Sequence, residues 1–144
     1  MKKKTVIFIV CMAVFLLVSS VFIEQLYVCI HGIKIDYSDK GIYSEQEVDL
    51  AAHEIKEKVS QFRGRLFFDK AVLYSLKVEG EDCLEYCRSL NDDADYTEAV
   101  CFSSVMRSPV TGGGGWNSNS IYHWNWYLAR TDGGEWELIT WGYG

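Results

Sequence analysis

Positive charge is scarce in this sequence once its first four residues are set aside. Of 14 lysines and arginines, three are Lys2, Lys3 and Lys4, so the remainder sets 11 basic residues against 20 acidic ones, a balance of −9. A body of that charge repels phosphate backbones, which argues against nucleic acid as a partner. Proline is scarcer still, Pro109 being the only one, and no internal repeat or long low-complexity run divides the chain. A length of 144 residues suits one domain of roughly 120 residues beside a targeting segment, with no room for a second. Several motifs are also missing. Close CxxC pairs are absent, which argues against a thiolate metal site on Cys83, Cys87 and Cys101. The run GGGGW at residues 112–116 lacks the Lys-Ser/Thr ending of a phosphate loop, and no serine has a paired His and Asp. No cofactor is expected.

What is present begins with an apolar run. After the lysines, residues 5–23 carry no charge, and 19 residues at helical rise span about 28 Å, close to a bilayer core. Val18 and Ser20 also fit the small-residue pattern of a signal-peptide cleavage site, so a cleaved signal and an uncleaved anchor both remain open. Either way the lysines stay cytoplasmic and the rest emerges outside. The location expected is extracytoplasmic, membrane-anchored through residues 5–23 or secreted. Lipidation is not expected, because Cys11 and Cys29 each follow a valine rather than a small residue.

Export changes the meaning of the cysteines. Cys29, Cys83, Cys87 and Cys101 lie beyond the apolar run, an even number that forms two disulfides by any of three connectivities. Cys83 and Cys87 stand four apart on a short helix and share a face; a bridge along one helical turn is poorly matched, so a link from one of them to Cys101 is more natural.

Residues 24–43 read as a connector with an extended piece, since Ile33, Ile35 and Tyr37 alternate with Lys34 and Asp36. A single domain then covers residues 44–144. Ser44 and Glu47 form a capping box, and Val48, Ala51, Ile55, Val59 and Phe62 recur at helical spacing up to Gly64, which is placed to end the helix. The next stretch alternates, with Val72, Tyr74, Leu76 and Val78 on one side of a strand. EDCLEYCRSLN is short and helical, residues near 97–105 form a strand, and the glycine run is a flexible surface connection whose length suits a lid. The last two strands are joined by Thr131, Asp132, Gly133 and Gly134, a hairpin signal. The order predicts an α+β fold: a signal or anchor helix, then a long amphipathic helix packed on a curved antiparallel sheet.

Four of the five tryptophans fall after residue 118. Alternation puts Tyr122, Trp124, Trp126 and Leu128 on the core face with Trp136, Leu138 and Thr140. The second face carries His123, Asn125, Tyr127 and Trp141, whose mixture of rings and hydrogen-bonding groups suits a ligand pocket or a sugar-stacking surface. His123 is the candidate acid or base, with Asp69 a second; His53 and His31 are bystanders. Asp92, Asp93, Asp95 and Glu98 crowd a turn that could take calcium, without the glycine of an EF-hand loop.

The succession of capped helix, strand, short helix and W-x-W-x-L-x-R strand, then a hairpin and W-x-L-x-x-x-G-Y, is carried here by Trp124, Trp126, Leu128, Arg130, Trp136, Leu138, Gly142 and Tyr143. Over about residues 40–144 it resembles small exported bacterial domains of unknown function with a cystatin-like or nuclear-transport-factor-like cone fold. That wider fold includes isomerases and dehydratases with an acid or base in the cone, and many noncatalytic modules. The expectation is a noncatalytic module that binds a small ligand or a partner protein through its curved sheet. The alternatives are a cone-fold enzyme of isomerase or dehydratase type using His123, and a carbohydrate-binding module at the cell wall that stacks sugars on Tyr127 and Trp141.

Overall fold

The structure, a computed structural model, describes residues 3–66, 68–80 and 83–143, the side chains of Val21 and Cys29 excepted. It divides into two compact units, Met1–Gly32 and Ile33–Gly144.

The first unit is one helix, α1, Lys3–His31. It runs eight residues beyond the uncharged stretch, through the start of the expected connector. The reason is local: Leu26, Tyr27, Val28 and Ile30 prolong the apolar run, and nothing breaks the helix before Gly32. There a positive φ of 73° turns the chain, and the Gly32 N–H donates to the Val28 carbonyl at 2.8 Å. Ser19 and Ser20 donate their hydroxyls back to the carbonyls of Phe15 and Leu17, so they leave no donor unpaired in an apolar setting. From Lys3 to Val28 the helix is long and apolar enough to cross a membrane, with a mean hydropathy of 3.1 over an 18-residue window. Its length and composition fit an export signal or an anchor.

The second unit is α+β. Its elements are β1 (Lys34–Asp36), α2 (Glu45–Ser60), β2 (Val72–Glu79), α3 (Leu84–Leu90), β3 (Glu98–Arg107), β4 (Ile121–Arg130) and β5 (Glu137–Gly142). They form one five-stranded sheet in sequence order. The sheet is mixed rather than wholly antiparallel, since β1 pairs parallel with β2 and the other pairs are antiparallel. A helical crossover explains it: α2 carries the chain back along the sheet, so β2 returns in the direction of β1.

The capping box opens α2 as the sequence predicts. The Ser44 hydroxyl accepts from the Glu47 N–H at 3.2 Å, while Glu47 accepts from the Ser44 N–H at 2.9 Å. Val48, Ala51, Ala52, Ile55 and Val59 bury one face of the helix against Leu76, Val78, Phe102, Trp126 and Leu128. The helix stops at Ser60, capped by Gln61, and not at Gly64. Gly64 has a different duty: a Cβ there would collide with Asp69, Thr111 and Pro109, so two loops close on a residue without a side chain.

Two bulges decide which residues share a face. In β2, Leu73 pairs with Met106 and Ser75 with Val105, leaving Tyr74 as the extra residue. Leu73, Leu76 and Val78 therefore enter the α2 core, and Tyr74 does not join them as simple alternation predicts. The opposite face of the sheet carries a smaller core of Cys87, Tyr96 and Ala129 under α3.

Candidate ligand cleft

The second bulge, in β5, builds the candidate site. Leu128 pairs with Leu138 and Tyr127 with Thr140, so Ile139 is the inserted residue. Beyond it the parity of the strand is reversed, and Trp141 stands opposite Trp126 on the α2 face, its ring stacked on that of Trp126 with centroids 6.3 Å apart. The sequence set His123, Asn125, Tyr127 and Trp141 is thereby split. His123, Asn125 and Tyr127 share the α3 face, where the Tyr86 ring meets Tyr127 edge-on at 4.7 Å, and Trp141 lies on the other side of the sheet.

On the α2 face a loop supplies a further ring. Gly112, Gly113, Gly114 and Gly115 all hold positive φ, and the Trp116 N–H donates to the Gly113 carbonyl at 3.0 Å. The run expected to be a flexible connection is thus a defined turn that only glycine can follow, and it delivers the Trp116 indole to β4. Trp116 stacks on Trp124 at 4.8 Å and meets Phe62, just past α2, at 5.1 Å. Tyr143 reaches Trp124 and Tyr122 at 6.1 and 6.0 Å. Phe62, Trp116, Tyr122, Trp124, Trp141 and Tyr143 together line a cleft of about 290 Å³, at the small end of the range for ligand pockets. Tyr143 is 74% exposed and Trp141 36%, so the rim of the cleft is open to solvent. The Lys58 ammonium stands 4.4 Å over the Trp141 ring. Trp124 Nε1–H is buried and meets no acceptor among the described residues.

The backbone under the cleft is held by Asp69, which is 1% exposed. Its carboxylate accepts from the N–H groups of Val110 and Thr111 at 2.8 and 2.7 Å and from the Thr111 hydroxyl at 2.6 Å. All three donors belong to the loop that carries Trp116, and the Tyr122 hydroxyl accepts from Asn117 N–H in the same loop at 2.9 Å. Asp69, the second acid–base candidate in the sequence, is a clasp between loops here.

The remaining sequence candidates lie elsewhere. His123 is exposed on its strand, and His53 and His31 are exposed on their helices. Asp92, Asp93 and Asp95 are exposed, while Glu98 is occupied by the Arg130 guanidinium, which donates to it from Nε at 2.8 Å. Among the described residues no three His, Cys, Asp or Glu side chains come close enough to hold a metal ion. Cys83, Cys87 and Cys101 are all buried near the α3 face; the side chain of Cys29 lies outside the described residues. Cys83 and Cys87 are thiols that hydrogen-bond each other, which pushes the Cys83 pKa up and holds that of Cys87 down.

Sequence reasoning missed Phe62, Trp116, Tyr122, Trp124 and Tyr143 as site residues, assigning Tyr122 and Trp124 to the closed core. One signal was available, a tryptophan placed directly after four glycines, because so large a ring must find a surface to cover. Comparison with protein-family models, with curated proteins and with solved structures finds no match for this chain.

Proposed function

We propose that the protein is a noncatalytic binding module that works outside the cytoplasm, tethered or exported by α1, and that its aromatic cleft seats a small ligand. The observation that carries this reading is the cleft itself. It gathers rings from the end of α2, from a glycine loop and from the last two strands, and leaves Tyr143 open to solvent and Trp141 partly so. A domain that used its rings only for stability would bury them, since each contributes on the order of 2 kcal/mol when removed from water. The rival reading, an isomerase or dehydratase of a cone fold using His123, has less support, because His123 is exposed on the face away from the cleft. The assignment to a cystatin-like or nuclear-transport-factor-like exported bacterial domain rests on one long helix laid across a sheet and remains part of this proposal.

The five tryptophans supply the test. With 5-fluorotryptophan in the full chain, held in detergent micelles, Trp116, Trp124 and Trp141 report on the cleft and the buried Trp136, which contacts none of them, serves as the internal control. Small cyclic solutes are expected to move the first three fluorine resonances and leave that of Trp136 in place. Equal movement of all five, or of none, would sink the reading. For location, protease added to intact expressing cells should remove the second unit; full protection of that unit overturns the extracytoplasmic assignment.

A further inference from the structure

We infer that the ligand class of the cleft is a neutral saccharide, stacked on the rim rings and accepting a hydrogen bond from Trp124; this rests on the cleft being a binding site. Three observations on the lining narrow the chemistry. The Tyr143 ring is open to solvent and Trp141 is partly so, and such rings pair either with the apolar C–H face of a sugar ring or with a cation. A cation is disfavoured: the chain's own Lys58 ammonium already stands over Trp141, and among the described residues no carboxylate lines the cleft to balance a second positive charge.

A purely apolar ligand is disfavoured by the third observation. Among the described residues the Trp124 N–H has no acceptor, and an unpaired buried donor costs roughly 1 to 3 kcal/mol. A saccharide brings what is missing, since its hydroxyl, ring and acetamido oxygens are acceptors while its C–H faces remain apolar. Trp124 Nε1 is shielded in this structure, so an acceptor must reach it by displacing a neighbouring ring. Tyr143, 74% exposed, is the ring that shifts at least cost, and it can do so while still covering one face of the sugar. A cleft of about 290 Å³ suits one or two sugar units rather than a long chain.

The experiment titrates the fluorotryptophan-labelled full chain with three probes: the tetrasaccharide of β-1,4-linked N-acetylglucosamine, tetramethylammonium and benzyl alcohol. The tetrasaccharide is expected to move Trp116, Trp124 and Trp141, with Trp136 still. Trp124→Phe, which keeps a ring and removes the N–H, should raise the saccharide Kd about fivefold to tenfold, the loss of one hydrogen bond. Tyr143→Ala sits at an exposed position, tests the stacking without endangering the fold, and should also weaken binding. If only tetramethylammonium or benzyl alcohol moves the cleft resonances, the saccharide inference falls and the binding cleft stands. If no probe moves them, both fall. An unchanged Kd in Trp124→Phe overturns the assigned donor.

Discussion

At the Arg130 end of β4 the rings and charges close on one another, and near Trp124 they do not. Arg130 is 7% exposed, donates to Glu98 and to Glu47, and lies 4.3 Å from the face of the Trp136 ring. Trp136 in turn donates its indole N–H to the Glu47 carbonyl at 3.1 Å. That corner ties the first turn of α2 to β3, β4 and the hairpin with its indole N–H, its guanidinium and both carboxylates engaged. Trp126, in mid-strand, is satisfied too, donating to the Ser104 hydroxyl at 2.8 Å. Trp124, two residues before it, is not. One strand thus carries a finished aromatic site and an unfinished one. The contrast teaches that aromatic density alone does not mark function; unmet hydrogen-bonding capacity beside exposed rings does.

The largest effect expected from breaking this contrast comes from beneath the open end. Asp69→Ala removes the acceptor of three donors in the Trp116 loop and should cost about 3 kcal/mol, read as a lower urea midpoint. It should also merge the Trp116 and Trp124 fluorine signals with those of solvent-exposed indoles while Trp136 keeps its own. Retention of the cleft signals at unchanged stability would mean that the rings, and not the clasp, hold the loop.

Next is Arg130→Ala, expected to cost about 2 kcal/mol, since the partners Glu47 and Glu98 keep side-chain exposures of 35% and 26% and recover part of their hydration. Acid sharpens the test. The Ser44 N–H, then Arg130, then the Ser44 hydroxyl hold the Glu47 carboxyl down at about 2, from an ordinary 4.5. A depressed carboxyl contributes stability that is present above its unfolded value and lost as pH falls, so that share should disappear between about 4.5 and 2. In Arg130→Ala this acid limb should shrink and not vanish, because the capping box remains. An acid limb identical to that of the parent protein would remove Arg130 from the cause.

How much of this contrast was legible in the sequence depends on how local each signal was. The capping box, the period of α2 and the turn at Asp132 and Gly133, both at positive φ, are fixed by residues within one turn of one another, and they stand as read. The bulges at Tyr74 and Ile139 were not legible. Each inserts a residue into an unbroken alternating pattern, and the sequence looks the same with or without it, although every side chain beyond the insertion changes face. Trp141 was placed beside Tyr127 for that reason. Gly64 misled in another way: a glycine after a helix resembles a stop, and its true constraint comes from Asp69 and Thr111, the latter 47 positions later. Direction of pairing was hidden as well, since three residues at β1 cannot announce that α2 will return the chain parallel to them.

Smaller effects separate the rim from its support. Trp141→Ala should lower stability by about 1 kcal/mol or less, because the ring is 36% exposed and gives up mainly its stacking on Trp126 and the ammonium of Lys58. Binding to the cleft should suffer far more than the fold does. A loss near 3 kcal/mol would class Trp141 with Trp126 as core and dissolve the distinction between the two sites.

The smallest effect belongs to His123→Gln. The imidazole is exposed on β4, opposite Val105 of β3 and on the face away from the cleft, so its replacement removes no buried area. Stability should stay within about 0.5 kcal/mol of the parent protein, as for surface substitutions in general. The cleft resonances should also respond to ligand as before, because the side chain lies across the sheet from the rings. An enzyme that used His123 as its acid or base would lose turnover with folding intact. A titration curve for the cleft that changes in this variant, at unchanged stability, would show that the two faces of β4 communicate and that the strand's open site extends through the sheet.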